Sequence, residues 1–182
     1  PNFLRMSKFC HPILYVRGNL ERFINYDKSL AILGTRQANS DSLRMARYAA
    51  TGLAKEGWVI VSGMAKGIDA SAHEAALDVG GRTIAVLGSG VDKPYPPECR
   101  NLFNRIIKDN LVVSEFPFGI RTTSLQLKKR NKTTIAFSLG AFIVQSSLTG
   151  GAMNAVKACL EQKKPIFSFI HEGKEYSGNR QV

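Results

Sequence analysis

Five short clusters in the chain carry residue types that bind phosphate. Gly34, Thr35 and Arg36 stand together; Ser62, Gly63, Lys66 and Gly67 lie within SGMAKGID; Gly88, Ser89 and Gly90 form GSG; Ser114 and Glu115 form SE; Thr149, Gly150 and Gly151 form TGG. Glycine at a turn lets an anion approach the main chain, and a helix that follows offers unpaired amides and a partial positive charge. A tight turn explains any one of these glycines, but the five clusters together point to phosphate. Arg36 and Lys66 would neutralise the anion that the backbone cradles. The chain holds neither a GxxxxGK[ST] loop nor a GxGxxG fingerprint, so neither a nucleoside triphosphatase nor an ordinary dinucleotide dehydrogenase is indicated.

A second source of charge is VVSEFPFGIRTTSLQLKKRNKTT, residues 112 to 134, which begins apolar and ends in Lys128, Lys129, Arg130 and Lys132. On a helix Lys128 and Lys132 share one face while Arg130 and Asn131 turn elsewhere, giving donors over a wide arc that suits an extended anion. Tyr95, Phe116 and Phe118 either stack bases of a single strand or fill the core. Asp69 and His73, four apart, form either an acid/base pair or a structural pair that caps a helix and orders its loop; the structural role is the expectation. Glu115 either anchors a loop by accepting hydrogen bonds or acts as a catalytic carboxylate.

These clusters need an architecture that gathers them. From residue 30 onward, short apolar runs at Leu30–Leu33, Trp58–Ser62, Thr83–Leu87, Leu111–Val113, Ala141–Val144 and Ile166–Phe169 alternate with helical patterns. That alternation predicts an α/β fold: a doubly wound, mostly parallel sheet with helices on both faces. Helices are expected at NSDSLRMARYAATGLAKEGW, IDASAHEAALDVGG, PPECRNLFNRIIKDN, near Lys128–Phe137, and at GGAMNAVKACLEQKK. Every cluster then falls at the carboxyl end of a strand, where ligands bind in open α/β sheets. Residues 1–28 read as an extension packed on the sheet, 29–170 as the main domain, and 171–182 as a polar tail without a core element and mobile at its end.

Composition narrows the partner. The formal net charge is +11, from 25 basic against 14 acidic residues, which favours a polyanion. No window offers the ~18 to 20 apolar residues of a membrane span, and PNFLRMSKFC is not a secretory signal. Cys10, Cys99 and Cys159 are spaced for neither a disulfide framework nor zinc, and Cys159 reads as core. A cytoplasmic protein with no cofactor and no metal is expected. Because the first residue is Pro1, neighbouring modules are not excluded.

Read together, these segments resemble the DNA-processing protein A family, also called Smf. LAILGTR stands where the family has a strand ending in G-S-R; VIVSGMAKGIDASAHEAAL matches S-G-x-A-x-G-I-D-x-x-A-H; GGRTIAVLGSGVDKPYPPE matches G-x-T-I-A-V-L-G-x-G followed by Y-P; VVSEFPFG matches S-E-x-P-x-G; LKKRNKTTIAFS stands for F-P-x-R-N-R-x-I-A-x-L-S. TGGAMNAVKACLEQKKPIF is similar to the S-G-S-L-I-T-A helix, and HPILYVRGN to the lead-in, so the likeness runs over roughly residues 10 to 170. It implies an extended Rossmann fold whose basic pocket takes the phosphates of single-stranded DNA, a homodimer, delivery of DNA to a RecA-type recombinase during natural transformation, and no chemical reaction. Arg36, Lys66, Arg130 and Asn131 occupy motif positions. Leu127 and Lys128 replace F-P, and Lys132 replaces an arginine, exchanging a planar fork for a point charge.

Two other functions fit the same loops. A sensor domain would bind one small nucleotide. A nucleoside monophosphate phosphoribohydrolase of the lysine-decarboxylase-like group would need P-G-G-x-G-T-x-x-E, and the nearest match, TGGAMNAVK, lacks the proline and the glutamate that steadies a ribosyl cation.

Overall fold

The computed structural model describes residues 13–182; the expectations that fall on residues 1–12, Cys10 included, lie outside the described residues. Seven strands form one sheet: β1 Tyr15–Gly18, β2 Ser29–Gly34, β3 Val59–Ser62, β4 Arg82–Leu87, β5 Leu111–Ser114, β6 Ala141–Gln145 and β7 Ile166–Ser168, in the order β1-β5-β4-β3-β2-β6-β7. All pairs are parallel except β1 with β5, where Tyr15 opposes Ser114 and Gly18 opposes Leu111. The α/β reading holds, with a seventh strand that the sequence does not announce. The N-terminal extension, expected only to pack on the sheet, contributes β1 itself, and Phe23 and Tyr26 behind it are buried.

Among the described residues, five α-helices connect the strands: α1 Ser40–Lys55, α2 Ile68–Asp78, α3 Arg100–Asp109, α4 Ser124–Ala136 and α5 Met153–Glu161. Two of them begin at side-chain caps. Asn39 Oδ1 accepts from Ser42 N at 2.9 Å to cap α1. Thr123 and Gln126 form a reciprocal capping box that starts α4 four residues before the expected Lys128. Because successive strand residues alternate faces, Ile32, Ile60 and Val144 pack under α1 and α2, while Ala31, Leu33 and Ile143 pack under α4 and α5. Leu102, Phe103 and Ile106 of α3 cover Ala85 and Val112 on the face of α1 and α2. Cys159 is buried in the other layer, where burial pushes its thiol up to about 11.

One topological fact positions the site. From β2 the chain runs outward through β3, β4 and β5, then returns to the opposite flank of β2 for β6 and β7. The loops after β2 and β6 therefore leave in opposite directions and open a crevice between them, the place where doubly wound sheets bind ligands.

The segment beyond β7 differs from the expected mobile tail. Tyr176 is fully buried and Asn179 is 1% exposed, so residues 176–179 belong to the folded unit.

Candidate nucleic-acid interface

A cavity of about 740 Å³ fills the crevice, with the β2–α1 loop (Gly34, Thr35, Arg36, Gln37) on one side and the β6–α5 loop (Ser146, Ser147, Gly150, Gly151) on the other. Helix α4 closes it with Leu127, Lys128, Arg130 and Asn131. A smaller cavity of about 270 Å³ adjoins it, lined by Gly63, Lys66, Gly88, Tyr95 and Glu98 and sharing Arg36 and Arg130. The structure thus brings together Gly34, Thr35, Arg36, Gly63, Lys66, Gly88, Lys128, Arg130, Asn131, Gly150 and Gly151 around two connected spaces.

Other expected contacts lie elsewhere. Ser62 Oγ donates to Ile32 O at 2.6 Å, and Ser89 Oγ to Lys93 O at 2.6 Å, so both buried hydroxyls serve the backbone. Gly67 precedes α2 and Gly90 donates its N–H to Ile120 O; neither lines these two cavities, nor does Thr149. Lys132 turns away toward α5, where its Nζ lies 2.8 Å from Glu161. Of the aromatics, Tyr95 lines both cavities, Phe118 leans edge-on against Tyr15, and Phe116 lies under Lys129.

Arg130 forms the floor. It is 5% exposed, and its Nη1 lies 3.7 Å from Asp69 Oδ2, also buried. Its Nε and Nη1 make no hydrogen bond in the fold, leaving two buried donors beside the cavity. The guanidinium occupies the space that a side chain on residue 63 would need, so a Cβ there would displace Arg130. Burial pushes the Asp69 carboxyl up while Arg130 and three backbone amides pull it back, and burial lowers the Arg130 pKa against the pull of Asp69. Asp69 Oδ2 accepts from Gly63 N at 3.1 Å and Ala65 N at 3.5 Å, fixing the turn after β3.

His73 ties α2 to β4 rather than to a loop. Thr83 Oγ1 donates to Ile60 O at 2.8 Å and lies 2.6 Å from His73 Nδ1, so the ring is joined to β4 through this hydroxyl. Burial first, and Arg130 second, push the His73 pKa down to about 3. The sign follows: between about 6.5 and 3 the unfolded chain takes up a proton that the folded chain refuses. Folding stability should therefore fall by about 1.4 kcal/mol per pH unit as acid is added across that window, from this group alone. Asp78, held low by Arg105 and Arg47, adds its own loss only below about 3.8. Urea unfolding at pH 6.5 and 4.5 in the parent and in His73→Asn should show a clearly shallower decline in the variant.

Glu115 is buried and accepts from the Thr133 hydroxyl, with Lys129 Nζ 3.2 Å from its other oxygen. It joins the end of β5 to α4 through side chains, where hydrogen bonds from loop backbone were expected.

Exposed cations outside any ion pair occur over much of the described surface, Lys28, Lys55, Arg100 and Lys157 among them, so position rather than pairing singles out those of the crevice. Lys129, Lys132, Arg44, Arg47 and Arg105 each have an acidic partner. Among the described residues, Arg36, Lys66 and Lys128 form no ion pair, and these are the three exposed cations of the two cavities. Sequence reasoning missed Gln37, Ser146, Ser147 and Asn154; the carboxyl-end rule applied to QSSLTGG, which begins four residues before TGG, would have found the serines.

The model of the family described as DNA recombination-mediator protein A matches residues 1–182. The chain belongs to that family. Two DNA recombination-mediator protein A relatives give the scale of the likeness. Protein Smf of Synechocystis sp. is 36% identical over 159 residues, which cover 86% of this chain and 40% of that protein. DNA processing protein DprA of Streptococcus pneumoniae is 33% identical over 156 residues, 86% of this chain and 54% of its own. The chain thus spans about half the length, or less, of these curated relatives. The S. pneumoniae DprA crystal structure superposes with a TM-score of 0.90 at 29% identity, covering all of this chain and 64% of that one. The Helicobacter pylori DprA structure, described for its single-stranded DNA binding mode, gives 0.91 at 29% identity and covers 82% of that chain. The molybdenum cofactor carrier of Chlamydomonas reinhardtii, at 0.54 and 19%, shares the fold alone.

Proposed function

We propose that the crevice binds single-stranded DNA by successive phosphates, and that the chain supplies the DNA-holding part of a recombination mediator without transforming the strand. The observation that carries this reading is a convergence of cations: Arg36, Lys66 and Lys128 face two open, joined cavities whose floor is Arg130, against Asp69, itself tied to Arg130, and Glu98. A cationic channel with an exposed aromatic, Tyr95, is the combination that holds single strands with little sequence preference. The family, and the H. pylori relative described by its single-stranded DNA binding, support the same reading. Gly34, Thr35, Arg36, Gly63, Lys66, Gly88, Lys128, Arg130, Asn131, Gly150 and Gly151 are the contacts we assign. The family likeness further supports a homodimer that passes DNA to a RecA-type recombinase in the cytoplasm during natural transformation.

A hydrolase is disfavoured by position as well as by motif. The residue that stands for the glutamate of P-G-G-x-G-T-x-x-E is Lys157, which lines neither cavity.

A length series tests the proposal against a mononucleotide sensor. Anisotropy titrations should show affinity rising from about 3 to 10 or more nucleotides, with single strands preferred over duplex. An affinity for a mononucleotide equal to that for the longest oligomer would contradict it.

A further inference from the structure

The segment beyond β7 is wired to both walls of the crevice while lining neither cavity. Asn179 commits its whole side-chain amide to backbone. Its Oδ1 accepts from Ser146 N at 2.7 Å, and its Nδ2 shares two protons among Ile143 O, Val144 O and Phe169 O at 2.9 to 3.1 Å. Gly178 N donates to Ser146 O at 2.8 Å, and Ser177 Oγ accepts from Leu148 N at 3.2 Å. Three consecutive residues thus fix the start of the β6–α5 loop. Tyr176 reaches the other wall: its hydroxyl donates to Asn39 Oδ1 at 3.1 Å and lies 2.7 Å from Ser42 Oγ. Asn39 caps α1 directly after the Arg36 loop, and its N–H donates to Gln145 Oε1 at 3.1 Å.

Such wiring exceeds what closing a sheet edge requires, because β7 already pairs with β6 along its own length. We infer that Tyr176–Asn179 is a clasp that sets the separation of the Arg36 loop and the Ser146–Gly151 loop, so that these four are positioning residues for the DNA groove although they touch no DNA. The inference rests on the function proposed above. Cations on facing loops engage successive phosphates only at a fixed spacing, and loops anchored at one end alone lose that spacing to motion.

Two variants alter the clasp with little change in buried polar content. Tyr176→Phe removes one hydroxyl. Gly178→Ala places a Cβ 2.7 Å from both Ser146 O and Ser147 O, forcing segment and loop apart. Asn179→Ala is the severe case, and the first two decide the matter if it fails to fold. The measurement is anisotropy with an oligonucleotide of about 15 residues, beside Arg36→Ala and a control, Ile106→Val in α3, that costs stability far from the groove. Gly178→Ala is expected to bind roughly tenfold more weakly and Tyr176→Phe several-fold, at temperatures where urea unfolding shows both folded, while Ile106→Val binds as the parent does. Parental affinity in the clasp variants alongside a weakened Arg36→Ala would overturn the clasp and leave the groove standing. Parental affinity in all of them, Arg36→Ala included, would overturn both.

Discussion

Arg130→Met should cost about 3 to 5 kcal/mol of folding stability, because it leaves the buried Asp69 carboxylate without its guanidinium partner. The two side chains are each about 5% exposed and face one another at 3.7 Å beneath the cavity. The pair as such is a weak source of stability, since taking both charges out of water offsets most of their attraction; the cost comes from breaking it on one side. Asp69→Asn combined with Arg130→Met should therefore recover most of the loss, and a denaturant midpoint series over the parent, both single variants and the double variant measures the coupling. Asp69→Asn alone should be costly too, leaving a buried guanidinium that already has Nε and Nη1 unbonded. Additive losses in the double variant would mean that the ion pair does not organise this floor.

The second large effect concerns binding. Arg36→Ala and Lys128→Ala each remove an exposed cation that has no acidic partner among the described residues, and each should weaken single-stranded DNA binding by roughly ten- to a hundredfold, the range for a charged hydrogen bond. Each should also flatten the dependence of log affinity on log salt by about 0.7 to 1 unit, one phosphate contact apiece. Lys132→Ala provides the contrast. Its ammonium faces Glu161 outside both cavities, so its removal should leave the slope nearly unchanged. A slope that fell equally for Lys132 and Lys128 would say that helix α4 binds DNA along its outer face, as simple charge counting suggests.

That contrast shows where sequence reasoning stops. Lys128 and Lys132 are four residues apart and share a helical face by period alone, yet one lines the crevice and the other pairs with α5. What decides is the crossover of α4 against α5, a tertiary relation that period cannot encode. Arg130 was legible as a motif position but not as a buried floor, since burying arginine depends on Asp69 arriving from α2 and on a missing side chain at Gly63. The parallel core was easier, because buried parallel strands are continuous apolar runs between helix caps. Strand β1 escaped because Tyr15–Gly18 is short and, as an edge strand, mostly exposed, so burial imposes no period on it. The segment beyond β7 misled for a related reason: Tyr176, Ser177 and Asn179 are polar, and a polar stretch reads as solvated unless its donors and acceptors are spent on backbone, which composition does not reveal.

The central claim, that single-stranded DNA lies in the crevice at the carboxyl ends of β2 and β6, is tested most directly by photocrosslinking. An oligonucleotide carrying a photoreactive thymine analogue at successive positions would be irradiated on the protein and the attached peptides mapped by mass spectrometry. The account predicts attachment within residues 34–37, 95–98 and 122–131, where Arg36, Tyr95 and Lys128 face the joined cavities. Attachment confined to the outer surfaces of α1 and α3, with none in those segments, would contradict it.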